Sequence, residues 1–488
     1  MFSKDIVKVN TLLNFSEPLN NHIFLPEGGR ACFYFLDYLL LSQYVADNRD
    51  WPFGDHVNVV SNFKDHSAKW FRINDINASY ASKHLEAFIN KPNLAKKLLK
   101  YLNKRRDFII NILKKGKFRK LDNEDLGAFV EFVVDSFYKV LRPSSIVRIV
   151  DLGIIAEFKK TFADTEDHSA VVSASKNFSW MLIEEMDLLN LAIKIKNKRI
   201  DINSKFIIKE LNKIVGQYCF SELGYYNEKV KTLDFYKNKL KIALDNNPEL
   251  RLKDIQSSQK ETIEKRRKIL NKFDSRTNLI ADIASDLSYI KDCYKFSMNK
   301  VFYNAEALFS EIAKRLNKPV DYIKDLSSQE IRDALCGKEL DSKMVSERVK
   351  NHILIAFENK LYLLLGDKAD QFRKKYLEID TNKTLLNGRC ASKGAATGKA
   401  KIVKSPEDFH KMEAGDILVV MNTSPDFTPI MEKAGAIVAE EGGLTAHVSI
   451  VSRELGIPAV VGVHHAIEIL KDGDMLEVDA NQGTVKKI

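Results

Sequence analysis

Eleven apolar side chains (Leu279, Ile283, Leu287, Ile290, Tyr294, Met298, Val301, Ala305, Leu308, Ile312 and Leu316) follow one another at spacings of three and four. That period places them on one stripe of a helix. Unbroken, the helix would run roughly 50–60 Å at about 1.5 Å per residue. Similar periodicity runs through Ala81 to Leu113, Leu126 to Leu141, Val171 to Ile195, Phe206 to Leu223 and Leu233 to Leu244. Glu261 to Leu270 reads as a solvated helix, and weak alternation in His56 to Ile76 marks a small β element. The expected fold is multidomain, with a large, mostly α-helical body over residues 1–378.

The period changes near Gly388. Residues 389–488 hold 10 of the 21 glycines and carry a net charge of −3, whereas the rest of the chain carries +13. The polar stretch Ile379 to Gly388 reads as a linker. Beyond it, short β-rich runs at Ala400–Val403, Ile417–Met421, Ala436–Ala439, Ala459–Gly462, Met475–Val478 and Thr484–Lys487 alternate with turn glycines and brief helices. Residues 389–488 are therefore expected to form a compact α/β module.

The overall charge of +10 admits an anionic partner, but lysine is scattered over the whole chain without an Arg-rich stripe, which argues against nucleic acid. Cys32, Cys219, Cys293, Cys336 and Cys390 lie far apart without a CxxC or Cys/His cluster, so neither zinc nor a disulfide framework is expected. No metal site is assigned. The start of the chain lacks a leader pattern, and the greasiest segment, Ala31 to Leu41, is short and interrupted by Asp37. A reducing cytoplasmic location without a membrane partner is expected.

One segment concentrates the chemistry, Glu440-Glu441-Gly442-Gly443-Leu444-Thr445-Ala446-His447, running on through Arg453 to Pro458. Val448, Val451 and Leu455 suit the buried face of a helix that starts near Thr445, which leaves His447 in its exposed first turn. Gly442 and Gly443 let bulky partners approach closely. Unpaired N–H groups and the dipole at a helix start favour an anion and disfavour imidazolium, leaving a neutral ring nitrogen as nucleophile. Thr445 suits a helix cap. Arg453, six residues on, is rotated about 240° from His447. Glu440 and Glu441 would repel phosphate if they pointed inward and read as solvated; His464 and His465 read as turn residues.

This stretch resembles the phosphohistidine signature of the swivelling domain of phosphoenolpyruvate-utilising enzymes, a group that includes phosphoenolpyruvate synthase, pyruvate phosphate dikinase and rifampin phosphotransferase. Gly394 to Ala400, Gly415 to Val420, Thr423-Ser424-Pro425-Asp426, Gly456 to Gly462 and Asp472-Gly473-Asp474 resemble the rest of that domain in order. The resemblance implies phosphorylation of His447 at Nε2, a phosphate environment of Gly442, Gly443, Thr445 and Arg453, and possible regulatory modification of Thr445. Ala446 departs from the small polar residue usual there. Asn317 to Ile331 is loosely similar to a passage in the helical domain of rifampin phosphotransferase.

No nucleotide-grasping pattern and no phosphoenolpyruvate barrel pattern is legible, and Pro26-Glu27-Gly28-Gly29-Arg30 lacks the Lys-Ser/Thr of a phosphate loop. The resemblance therefore implies a phosphohistidine-carrying subunit of a split, ATP-dependent dikinase-like phosphotransferase. ATP and Mg²⁺ would sit on a separate ATP-binding subunit, with no cofactor on this chain, and the phosphoryl group would pass from His447 to a small-molecule hydroxyl. A domain tethered at one end gains a high effective concentration at two active sites. His22, His84, His168 and His352 are candidate bases in the body. The rival readings are a phosphorylation-responsive regulator or scaffold, and a carrier charged from phosphoenolpyruvate by a separate barrel protein.

Overall fold

The computed structural model describes residues 6–8, 24–31, 59–64, 67–162, 166–221, 223, 230–357, 360–377, 381–423, 427–440 and 447–488. The chain divides into two compact units, one of residues 1–25, 29–163 and 172–372, the other of residues 26–28, 164–171 and 373–488.

The first unit is mostly helical. Its elements are α1 (Asn74–Asn90), α2 (Leu94–Lys115), α3 (Asn123–Thr161), α5 (Trp180–Lys198), α6 (Lys205–Tyr218), α7 (Leu233–Asp245), α8 (Pro248–Leu270), α9 (Ser275–Leu316), α10 (Val320–Lys324), α11 (Ser328–Leu335), α12 (Ser342–Lys350) and α13 (Gly366–Phe372), while most of α4 (Glu166–Ser173) is assigned to the second unit. The stripe read from Leu279 to Leu316 is one unbroken helix, α9. Its N-cap Asp274 accepts from the Thr277 N–H, and Asn317 at φ 50° ends it. Ile283, Leu287 and Ile290 on its first half and Val301, Leu308 and Ile312 on its second enter two successive cores against α2 and α3.

Three boundaries differ from the periodicity. The run from Ala81 to Leu113 breaks into α1 and α2 at Lys91–Asn93, where Pro92 lies. The run from Val171 to Ile195 breaks before Ser179, which caps α5 by accepting from the Leu182 N–H. Conversely, α3 continues through Pro143 to Thr161, held by buried Ile146, Val147, Val150, Ile154 and Phe158 beyond the proline. In the passage after α9, Ser327 and Glu330 form a capping box on α11, and Glu330 also receives an N–H from the buried Arg348 at 2.9 Å.

The β element expected in His56 to Ile76 belongs to a larger sheet. β1 (Ile6–Lys8), β2 (Phe24–Ala31), β3 (Val59–Lys64), β4 (Ser67–Ile73), β5 (Asn351–Phe357) and β6 (Lys360–Leu365) line up in the order β1-β6-β5-β3-β4-β2. β3 pairs antiparallel with β5 across nearly three hundred residues of chain, from Val59 opposite Ala356 to Lys64 opposite Asn351. Such a pairing leaves no local periodic signal.

The second unit is an eight-stranded mixed sheet with helices. Its strands are β7 (Leu385–Asn387), β8 (Arg389–Ser392), β9 (Ala395–Val403), β10 (Ile417–Val420), β11 (Ala436–Ala439), β12 (Ala459–Val461), β13 (Met475–Asp479) and β14 (Thr484–Lys487), in the order β7-β14-β13-β9-β10-β11-β12-β8. Its helices are α14 (Thr428–Met431), α15 (His447–Leu455) and α16 (Ala466–Ile469). β9 to β12 are parallel. Every residue of β10, β11 and β12 is buried, as expected of parallel strands covered on both faces. Ile417 and Val419 enter one core, Leu418 and Val420 the other. The six expected strands are present, while Leu385–Asn387, inside the stretch read as linker, pairs as an edge strand with β14.

The density of glycine has a local cause here. A Cβ on Gly398 would stand 2.5 Å from the Gly415 carbonyl oxygen, and one on Gly435 2.6 Å from the same atom. Backbone cannot yield as a flexible side chain would. Gly398→Ala is expected to destabilise the second unit by about 2 kcal/mol, read as a lowered calorimetric transition for that unit in the full chain.

Candidate functional site

β10 and β11 run parallel with Val420 opposite Ala439, so the segments leaving their C-terminal ends emerge side by side. Ligand sites of open α/β sheets gather at that edge. The segment after β10 brings Thr423, and the one after β11 leads to His447, the first residue of α15. Thr423 Oγ1 and His447 Nδ1 are 2.8 Å apart. The contact orients a half-buried ring. With Nδ1–H donating to the threonine, the lone pair lies on Nε2.

α15 is seated differently from the expected face. Val448 is buried, but Val451 is only partly so and Leu455 is 36% exposed, while Ser449 and Ser452 are fully buried. Small side chains let the helix approach β8, and their polar atoms are satisfied locally. Ser452 Oγ donates to Ser449 O at 3.4 Å, and Ser392 Oγ donates to Ser452 O at 3.3 Å. Gly456, at φ 67°, ends the helix: its N–H donates to Arg453 O and that of Ile457 to Ser452 O. Arg453 Nε donates to Ala391 O of β8 at 2.8 Å, bracing the last turn. Ile450, 45% exposed, stands one turn beyond His447 on the outer face.

Glu440 is a correction to the sequence reading. It is 6% exposed, its N–H donates to Val420 O, and its Oε2 accepts from the Ile467 N–H at 3.2 Å, capping α16. The acid that follows β11 thus fastens the segment after β12. His464 and His465 lie in the turn before α16, as read, with His465 at φ 64°. Desolvation holds His464 below the usual imidazole pKa, against the opposing pull of Glu440. Glu440, His465 and Glu468 offer ligand atoms within 4.8 Å of one another, a carboxylate and imidazole set able to hold a borderline divalent cation. No motif spacing announces this group, because β11–β12 pairing assembles it.

Gly442, Gly443 and Thr445, with Glu441 and Ala446, lie outside the described residues, as does His22. His84 and His352 are buried, and His352 Nδ1 lies 2.7 Å from the Arg348 carbonyl, so neither faces an open pocket. His168 is partly buried in α4. Thr423 was legible only as a loop residue before a helix; nothing in a separation of 24 residues marks it as the partner of His447. Among the described residues Cys219, Cys293, Cys336 and Cys390 are free thiols. No described helix is long and apolar enough to cross a membrane.

Residues 412–483 match the family model of the PEP-utilising enzyme mobile domain. A "probable phosphoenolpyruvate synthase" of Archaeoglobus fulgidus is 44% identical over 133 residues, 26% of this chain and 18% of that protein. The phosphoenolpyruvate synthase of Aeropyrum pernix is 48% identical over 108 residues, covering 22% and 13% of the two chains. That of Pyrococcus furiosus is 44% identical over 135 residues, covering 27% and 16%. The matched region of this chain spans less than a fifth of the length of these relatives. The second unit therefore carries a mobile domain of the phosphoenolpyruvate-utilising kind, the class to which phosphotransfer through a histidine domain belongs.

Glu440→Ala removes the acceptor that caps α16, and the expected cost is about 1 kcal/mol. Glu440→Gln, which keeps an acceptor oxygen, costs less. Amide hydrogen exchange at Ile467 in the two variants checks the ranking.

Proposed function

We propose that this chain carries a phosphoryl group on His447 Nε2, as the acceptor-binding and phosphocarrier subunit of a split ATP-dependent phosphotransferase. The observation that carries the reading is the hold of Thr423 on Nδ1 at the head of α15, inside the mobile-domain match. A ring held through Nδ1–H keeps the lone pair on Nε2, the nucleophile of this proposal.

In the charging step Nε2 attacks a phosphorus of ATP held with Mg²⁺ by a separate nucleotide-binding protein. A P–N bond forms, a P–O bond breaks, and the nucleotide fragment leaves with the electron pair. In the delivery step a small-molecule hydroxyl oxygen attacks the same phosphorus. A P–O bond forms, the P–N bond breaks with its pair returning to Nε2, and the hydroxyl proton passes to a base in the acceptor site. The helix start favours the anionic phosphoryl group and the neutral ring. The exposed Ile450, three residues beyond His447, gives α15 an apolar side chain on its outer face.

The description of the matching family as PEP-utilising favours a second reading, in which phosphoenolpyruvate charges His447 through a separate barrel protein. Incubation of the chain with each candidate donor protein and its labelled donor separates the two. The expected result is an acid-labile label from ATP that is absent in His447→Ala and chases onto a small molecule. Thr423→Val is expected to slow labelling by about tenfold, and Thr423→Ser to restore most of the rate. Label arising only from phosphoenolpyruvate selects the second reading. Label that forms and never discharges makes the chain a phosphorylation-responsive regulator.

A further inference from the structure

A group of ligating side chains stands where the segments leaving β11 and β12 meet. The two strands run parallel with Ala439 opposite Val461, and the Val463 N–H reaches across to Ala439 O at 3.1 Å. Two residues past that bridge the chain turns at His465, held at φ 64° ahead of α16. The turn closes tightly: the N–H groups of Glu468 and Ile469 both donate to His465 O, at 3.2 and 3.0 Å. Glu440 arrives from the other strand. Its N–H donates to Val420 O at 2.9 Å, and its Oε2 accepts from the Ile467 N–H at 3.2 Å. Hydrogen bonds thus fix the backbone on both sides of this meeting, the condition for a preorganised site.

Three side chains bring ligand atoms together there. One imidazole nitrogen of His465 and one carboxylate oxygen each from Glu440 and Glu468 lie within 4.8 Å of one another. Glu440 is 6% exposed, and the other two residues are half-buried. His465 Nδ1 and Glu468 Oε2 are both closed off from water. Acids on an open surface are hydrated at no cost. Here two carboxylates and an imidazole are withdrawn from solvent at one point, where a cation shared among them offsets the desolvation of the acids.

The donor set selects among cations. One nitrogen and two carboxylate oxygens suit a borderline ion such as Zn²⁺, bound at about 2.0–2.2 Å. Mg²⁺ favours an all-oxygen shell and keeps several of its waters. Ligand atoms around a tetrahedral ion at those lengths stand about 3.4 Å apart, a closure within reach of rotation about the side-chain bonds of Glu468. Three protein ligands leave the fourth tetrahedral position to water.

We propose that Glu440, His465 and Glu468 bind a divalent cation of the Zn²⁺ class, which clamps the segment leaving β11 to the turn before α16. Glu440 stands seven residues before His447, so the clamp fixes the root of the segment that leads to the histidine. Binding of the ion does not rest on the phosphocarrier reading.

Calorimetric titration of the chelator-treated full chain with Zn²⁺ tests the site, and Co²⁺ in its place gives a visible spectrum that reports the donor atoms. One saturable site is expected, with Co²⁺ bands of nitrogen and oxygen ligation and no thiolate charge-transfer band. Glu468→Gln and His465→Asn are each expected to weaken Zn²⁺ binding about tenfold or more, and asparagine tolerates the left-handed backbone at position 465. Circular dichroism and the melting transition show which variants fold, and a folded one decides. Zn²⁺ is expected to slow amide hydrogen exchange at Ile467 in the wild type and in neither variant, while Mg²⁺ at the same concentration leaves it unchanged. No saturable site in the wild type, a thiolate band from that site, equal binding by a folded variant, or an equal response to Mg²⁺ would overturn the proposal. His447→Ala is expected to bind Zn²⁺ like the wild type; loss of binding there places the ion on His447 and also overturns it. Failure of phosphoryl labelling at His447 leaves the metal site standing, so the two readings are tested separately.

Discussion

The pairing of β10 with β11 is the constraint on which the candidate site depends. Parallel register sets Val420 beside Ala439, so whatever leaves the two strands at their C-terminal ends emerges side by side. Thr423 meets His447 there, and Glu440 turns inward to cap the helix that follows β12. A slip of one residue would exchange the two sets of β11 between the two cores and move Glu440 off α16. The burial of Ile437 and Ala439 in one core and Ala436 and Val438 in the other prevents it.

That arrangement separates rigidity from reactivity. The strands are buried on both faces, and the Gly415 carbonyl approaches Gly398 and Gly435 too closely for either to carry a side chain. His447 stands at the rim of this packing rather than within it, half-buried and oriented through one ring nitrogen. Preorganisation by a packed scaffold and access for a reaction partner are what the phosphocarrier role proposed for His447 requires.

The helical unit uses a different economy. Its two longest helices bury stripes against each other and against α2, and its buried charges are paired: Lys231 with Glu184, Arg348 with Glu330.

What the chain shows on its own is the part governed by local period. The α9 stripe, the six strands beyond Gly388 and the helix behind His447 follow from residues within a few turns of one another, and the histidine itself is legible from its glycines and its place at a helix start. The sheet that joins Val59 to Ala356, the edge strand inside the expected linker, the continuation of α3 past Pro143, the burial of Glu440 and the choice of Thr423 as partner were not legible. Each depends on contacts between segments remote in the chain, and Coulomb forces, hydrogen bonds and packing act through distance in space, of which residue spacing carries no record beyond the nearest turns. Local periodicity therefore determined most of the elements and the place of His447 at a helix start; tertiary pairing alone decided what surrounds it.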